Sequence, residues 1–173
     1  VRLKNIPQTA HDIGKTIADY KLKPFKFPDG MTILVDTREQ TPLFGTRLPK
    51  GLNICSCTLH DGDYSLRGFE SNFAIERKGI SDLISYCSTE REKTKAKMLR
   101  FKKMEWVGLV IEARESDLYR PYLHSSVAPE LIRQCLVSFS IRYGVHVYIG
   151  NRESICRWTI DHCIKYYRVK HEI

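Results

Sequence analysis

Residues 31–36, MTILVD, are a β-branched and apolar run that stops on polar Thr37, Arg38 and Glu39, the pattern of a buried strand. Residues 52–59 alternate apolar with small or polar side chains and predict a second strand. His60, Asp61, Gly62 and Asp63 mark a turn. Residues 64–66 and 73–78 then predict the two arms of a hairpin joined through 68–72. Ile80, Leu83, Ile84 and Cys87 fall at i, i+3, i+4 and i+7, with Ser81 and Asp82 in the opening turn, which predicts a helix. A charged helix follows over 90–104, with Met98, Leu99, Phe101 and Met104 as its apolar contribution. Residues 106–113, WVGLVIEA, read as a strand buried on both faces. Pro129 starts a helix with Ile132, Cys135, Leu136, Phe139 and Tyr143 on its apolar face, and Gly144 ends it. Residues 145–149 are a further strand. Asn151 caps a last helix carrying Cys156, Ile160, Cys163, Ile164 and Tyr167 on one side.

Strands followed by alternating helix and strand predict an α/β fold, a mixed central β-sheet flanked by helices. Residues 1–30 are a polar, weakly patterned lead-in with a short helix expected near 10–20. Residues 31–173 form the domain proper. There is no internal repeat.

Composition narrows the class. The 173 residues are 42% hydrophobic and 28% charged, with 10 Gly and 7 Pro, which excludes disorder or a collagen-like chain as the overall state. No apolar run approaches the roughly 18 residues of a membrane span, and Arg2, Lys4, His11, Asp12 and Lys15 interrupt any leader-like stretch. A soluble intracellular protein, of cytoplasm or nucleus, is expected. The six cysteines lack a pair of zinc-ligand spacings and read as reduced thiols. The net charge of +8 is consistent with a polyanionic partner such as nucleic acid.

The chemistry-bearing residues gather at strand ends. Asp36 closes the first strand, and Asp63 enters the hairpin. Glu76 and Lys78 lie two apart on a strand, hence on one face, whereas Arg77 points to the other. Three carboxylates and a lysine suit metal-assisted phosphodiester hydrolysis. Hard oxygen ligands from Asp36, Asp63 and Glu76 would hold Mg²⁺, and the Lys78 ammonium would orient water and offset developing charge. Ordinary strand-end salt bridges are the alternative for any one of these residues.

Gly62-Asp63, then Glu76-Arg77-Lys78 and Asp82, is similar to the GD…ERKxxxD signature of the XPF-type structure-specific nucleases, of the PD-(D/E)XK superfamily. Val35-Asp36-Thr37-Arg38-Glu39 resembles that family's upstream strand motif, and Tyr143-Gly144 and Gly150-Asn151-Arg152-Glu153 resemble parts of its compact members. The resemblance spans roughly residues 31 to 168. It implies a restriction-endonuclease-like core, Mg²⁺ dependence with Mn²⁺ as a substitute, and incision of flaps, forks or junctions in DNA repair or recombination. It further implies that Asp36, Asp63 and Glu76 are metal ligands and Lys78 the catalytic lysine. Arg77 and Asp82 fill the remaining signature positions, and Arg38 and Glu39 are supporting residues. The tandem helix-hairpin-helix module of many relatives has no counterpart in these residues, as in compact members of the family. A homodimer, or a heterodimer, is expected through the last two helices, with Phe139, Tyr143, Trp158 and Tyr166 available.

Residues 90–105 carry seven basic side chains (Arg91, Lys93, Lys95, Lys97, Arg100, Lys102 and Lys103) against three acidic ones, half of the chain's excess charge. Their position after the ERK strand predicts contact with the DNA backbone. A non-catalytic DNA-binding or scaffold module that keeps the fold is the principal alternative, and a sequence-specific restriction enzyme on the same core is a weaker one.

Overall fold

The structure is a computed structural model that describes residues 24–44 and 49–173. The helix expected near 10–20 lies outside the described residues. Six strands form one sheet: β1 (Ile33–Asp36), β2 (Ile54–Cys57), β3 (Tyr64–Leu66), β4 (Phe73–Gly79), β5 (Trp106–Glu112) and β6 (Val145–Gly150). Their spatial order is β2-β1-β3-β4-β5-β6. β3 pairs antiparallel with β1 and β4, whereas β1–β2, β4–β5 and β5–β6 are parallel, so the sheet is mixed as expected.

The helices are α1 (Ile80–Cys87), α2 (Arg91–Phe101), α3 (Pro129–Tyr143) and α4 (Arg152–His171), with a 3₁₀ turn at Glu115–Tyr119. Parallel pairs cannot be joined by a tight turn, and α1 with α2 supply the crossover from β4 to β5 and α3 that from β5 to β6. Pro129 opens α3, and Gly144 closes it with φ 70°, a left-handed conformation that costs glycine little. The Asn151 side chain accepts from the Ser154 N–H at 2.9 Å and caps α4. Among the described residues, no helix is long and apolar enough to cross a membrane.

The strand alternation sorts the core into two layers. Ile33, Val35, Tyr64, Leu66, Phe73, Ile75 and Val110 point to one face, where Ile155, Ile160, Cys163 and Ile164 of α4 cover them. Ala74, Val107, Leu109, Ile111 and Val145 point to the other and are covered by Leu83 and Tyr86 of α1, Met98 and Phe101 of α2, and Ile132, Leu136 and Phe139 of α3. The result is a three-layer α/β/α sandwich with β3 and β4 at the centre of the sheet. Each fully buried Leu, Ile or Phe in these layers contributes roughly 1.5–3 kcal/mol relative to exposure.

Two boundaries and two side-chain placements differ from the sequence reading. The second strand shrinks to four residues, since only Ile54–Cys57 pair with β1. The charged helix ends at Phe101, because Lys103 and Met104 donate to Arg100 and Phe101, three residues back, and the chain tightens out of the α-helix. Leu99, expected on its apolar face, is 50% exposed. Phe139, considered for a partner interface, is a core residue at 7% exposure, whereas Tyr143, Trp158 and Tyr166 are partly buried.

Candidate active site

Backbone pairing brings two aspartates and a glutamate together on adjacent strands. The Asp36 N–H donates to the Asp63 carbonyl at 2.9 Å, and the Asp63 N–H to the Ile75 carbonyl at 2.8 Å, one residue before Glu76. Gly62 makes this approach possible. Its φ is +81°, and a Cβ there would lie 3.0 Å from the Ala74 Cβ and 3.2 Å from the Ile75 oxygen. The Gly-Asp pair is therefore a backbone requirement for seating Asp63 against β4.

Alternation then places Asp36, Asp63, Glu76 and Lys78 on the sheet face covered by α1 and α2. Glu76 is fully buried. Its Oε1 lies 2.7 Å from Lys78 Nζ, and its two oxygens accept from Lys97 Nζ at 2.8 and 2.9 Å. Burial pulls the Lys78 pKa down, but the charge and hydrogen bond of Glu76 outweigh it, and the ammonium is held above its ordinary range. Lys78 Nζ also sits 5.3 Å from the centre of the Tyr86 ring. Asp82, in the first turn of α1, adds negative charge within reach of Lys78 and complements the helix N-terminus.

Asp63 is held differently from Asp36. Its carboxylate accepts the Arg77 N–H at 2.6 Å. Burial, followed by the charge of Glu76, pushes its pKa up to about 6. Asp36 instead accepts four N–H donors: Arg38 N at 2.8 Å, Arg38 Nε at 2.7 Å, Arg38 Nη2 at 2.9 Å and Leu59 N at 2.7 Å. The Arg38 hydrogen bond outweighs the cost of burial and holds its pKa down near 2. Asp36 thus ties the end of β1 to the start of the 59–63 turn, and Arg38 completes the tie by donating to the Leu59 carbonyl at 2.7 Å.

Arg77 points to the opposite face, as strand alternation requires. There Nη1 lies 3.2 Å from Glu39, Nε donates to Glu112 at 3.0 Å, and Nη2 also contacts Glu112. Arg152, at the start of α4, donates to the same Glu112 carboxylate and to the Thr41 carbonyl at 2.8 Å. Glu39 further accepts the Thr41 N–H, so this second cluster pins the segment after β1 across the ends of β4 and β5.

Among the described residues, no three His, Cys, Asp or Glu side chains are grouped as a ready metal cage. Asp63 and Glu76 share a sheet face with Lys78, and the Asp36 oxygens accept from Arg38 and Leu59. The sequence reading missed Lys97 as part of this cluster and assigned it only to DNA. Its signal was legible, because 94, 97, 98 and 101 are i, i+3, i+4 and i+7, and Thr94, Met98 and Phe101 are buried. Asp61 was read only as a turn residue, yet it is 4% exposed and accepts both Nε and Nη2 of Arg100. That fork, with His60, outweighs burial and lowers its pKa. Of the seven basic residues singled out on this segment, Lys97 and Arg100 turn toward carboxylates, whereas Arg91, Lys93, Lys95, Lys102 and Lys103 are exposed.

An α/β/α sandwich with a mixed six-stranded sheet, and an ERK strand facing a Gly-Asp turn, is the architecture of the XPF nuclease fold. The ERCC4 domain family model matches residues 35–160, and the chain belongs to that family. Among solved structures it is similar to XPF from Aeropyrum pernix, with a TM-score of 0.61 and 17% identity over 79% of this chain and 61% of that one. XPF from Aeropyrum pernix in complex with DNA gives a TM-score of 0.58 and 16% identity over 80% of this chain and 66% of that one. The chain thus spans under two thirds of the length of these relatives. No curated protein sequence matches it.

Proposed function

We propose that this domain is a metal-dependent DNA endonuclease that hydrolyses phosphodiester bonds in branched DNA such as flaps, forks or junctions. The observation that carries the reading is the fully buried Glu76 with the half-buried Asp63 on the same sheet face and the Lys78 ammonium beside it, built on the family's own motif positions. Desolvation, followed by the charge of Glu76, raises the Asp63 pKa, and a hard divalent cation between the two carboxylates would relieve both. Asp63 and Glu76 fit such an ion as oxygen ligands. Asp36 is the third carboxylate of the set, and its oxygens, like those of Glu76, accept hydrogen bonds that an ion would have to replace. Mg²⁺, or Mn²⁺ in its place, would supply an activated water and charge stabilisation at the scissile phosphate.

The protein's own groups would do the rest. Lys78, held charged against Glu76, would present an ammonium to the developing negative charge. The Arg77 N–H fixes the Asp63 carboxylate, and the Arg77 side chain anchors β4 from the opposite face. Arg91, Lys93, Lys95, Lys102 and Lys103 would contact backbone phosphates, which gives affinity and salt sensitivity without sequence information. XPF from Aeropyrum pernix has been solved in complex with DNA, which supports the same class of partner here. Pairing with a second copy or a related chain would use the last two helices through Tyr143, Trp158 and Tyr166.

The test is a panel of end-labelled single-strand, duplex, flap, fork and four-way-junction DNAs incubated with Mg²⁺ or Mn²⁺. Cleavage of a branched substrate that requires the cation and is lost in Lys78→Met is expected. Tight, salt-dependent DNA binding with no cleavage of any substrate under either cation would overturn the nuclease reading.

A further inference from the structure

We propose that Lys97 is a resident counter-ion for Glu76, which an incoming divalent cation must displace, and that it thereby sets the affinity of the centre for that cation. The inference rests on the reading of Asp63 and Glu76 as cation ligands and adds a residue outside the family motif to the centre. Glu76 has no solvent to balance its charge, being 0% exposed. Two ammonium groups do so instead, and they are not equivalent. Lys78 comes from the same strand two residues on and meets Oε1, at 2.7 Å. Lys97 comes from α2 on a long flexible stem and takes up both carboxylate oxygens, at 2.8 and 2.9 Å.

Those two contacts claim the lone pairs that a hard cation needs, and a divalent ion beside the ammonium would also be repelled by it. One of the two cations must leave. Lys97 has the means, because its side chain is 27% exposed and its Nζ lies 5.9 Å from the Phe101 ring centre, at the edge of the packed face of α2. Its four-carbon stem can carry the charge outward while Thr94, Met98 and Phe101 keep the helix in place.

The test measures Mn²⁺ binding to the intact chain without DNA, by calorimetry and by the loss of the free-ion electron paramagnetic resonance signal. Wild type is compared with Lys97→Gln, Lys97→Met, Glu76→Gln and Lys165→Gln, the last removing the same charge from an exposed position on α4. Both Lys97 variants are expected to bind Mn²⁺ about tenfold more tightly or better, the scale of one charge-assisted hydrogen bond removed from competition. Lys165→Gln is expected to stay within about twofold of wild type, since a distant exposed charge is screened. An unchanged or weaker Mn²⁺ affinity in the Lys97 variants, with binding still lost in Glu76→Gln, would overturn the role of Lys97 and leave the metal-centre reading intact. Absence of Glu76-dependent Mn²⁺ binding in wild type and Lys97 variants alike would overturn both.

Discussion

The Asp36 corner and the Asp63–Glu76 pair lie side by side on one sheet face, yet they obey opposite electrostatics. Asp36 receives four N–H donors, two of them from the Arg38 guanidinium, and these outweigh the cost of burial, so its pKa falls to about 2. Asp63 receives its backbone N–H from Arg77, but desolvation, followed by the charge of Glu76, drives its pKa up to about 6. The Arg77–Glu112–Arg152 cluster across the sheet is satisfied in the manner of Asp36, with Glu112 held below its ordinary range despite burial. A fold can settle a buried carboxylate when nothing else is asked of it. Leaving Asp63 unsettled beside a Glu76 that only lysines balance marks where an external cation is expected.

Breaking the unsettled side should have the largest consequence. Glu76→Gln is expected to reduce metal-dependent cleavage by about 10³-fold or more, the scale of losing a preorganised charge-bearing group, while DNA binding by gel shift persists. Asp63→Asn should stabilise the apo fold. Because the folded pKa is raised, ionising Asp63 above pH 6 costs stability that is retained below the ordinary value of 3.8. The amide should therefore gain on the order of 2–3 kcal/mol by urea unfolding at pH 8, with the gain vanishing near pH 4.

The settled side should respond with the opposite sign. Asp36→Asn is expected to lose about 2 kcal/mol at pH 7, because a folded pKa depressed to about 2 contributes stability above 3.8. In wild type that contribution disappears as the pH falls through 2, so the variant and wild type should converge in acid. The smallest effect belongs to the exposed side of α2. Lys93→Gln is expected to lower the slope of log K against log salt for DNA by about 0.9, with little change in cleavage once DNA is saturating.

Much of this contrast was legible in the sequence. The two-residue spacing of Glu76 and Lys78, and the opposite direction of Arg77, follow from strand periodicity, and the Gly-Asp pair seats as the motif implies. Pro129, Gly144 and Asn151 marked the helix ends because their chemistry is local. The partners of each charge were less legible. Asp36 and Asp63 look alike as strand-end aspartates; Arg38 is a local partner two residues from Asp36, but tertiary placement decides that Leu59 closes on one while Glu76 faces the other. Arg100 finds Asp61 and Lys97 finds Glu76 across 39 and 21 residues of sequence, pairings that depend on how α2 lies over β4. The helical spacing of 97 with 94, 98 and 101 pointed inward, but seven basic residues in one segment read first as a solvated, DNA-facing surface.

The central claim is that the Asp63–Glu76 pair sacrifices stability for chemistry. It is tested most directly by measuring, on the same preparation of Asp63→Asn, the urea midpoint at pH 8 without metal and the rate of branched-DNA cleavage with Mg²⁺. A higher midpoint than wild type together with loss of cleavage is the predicted result. A lower midpoint, or cleavage at the wild-type rate, would contradict it.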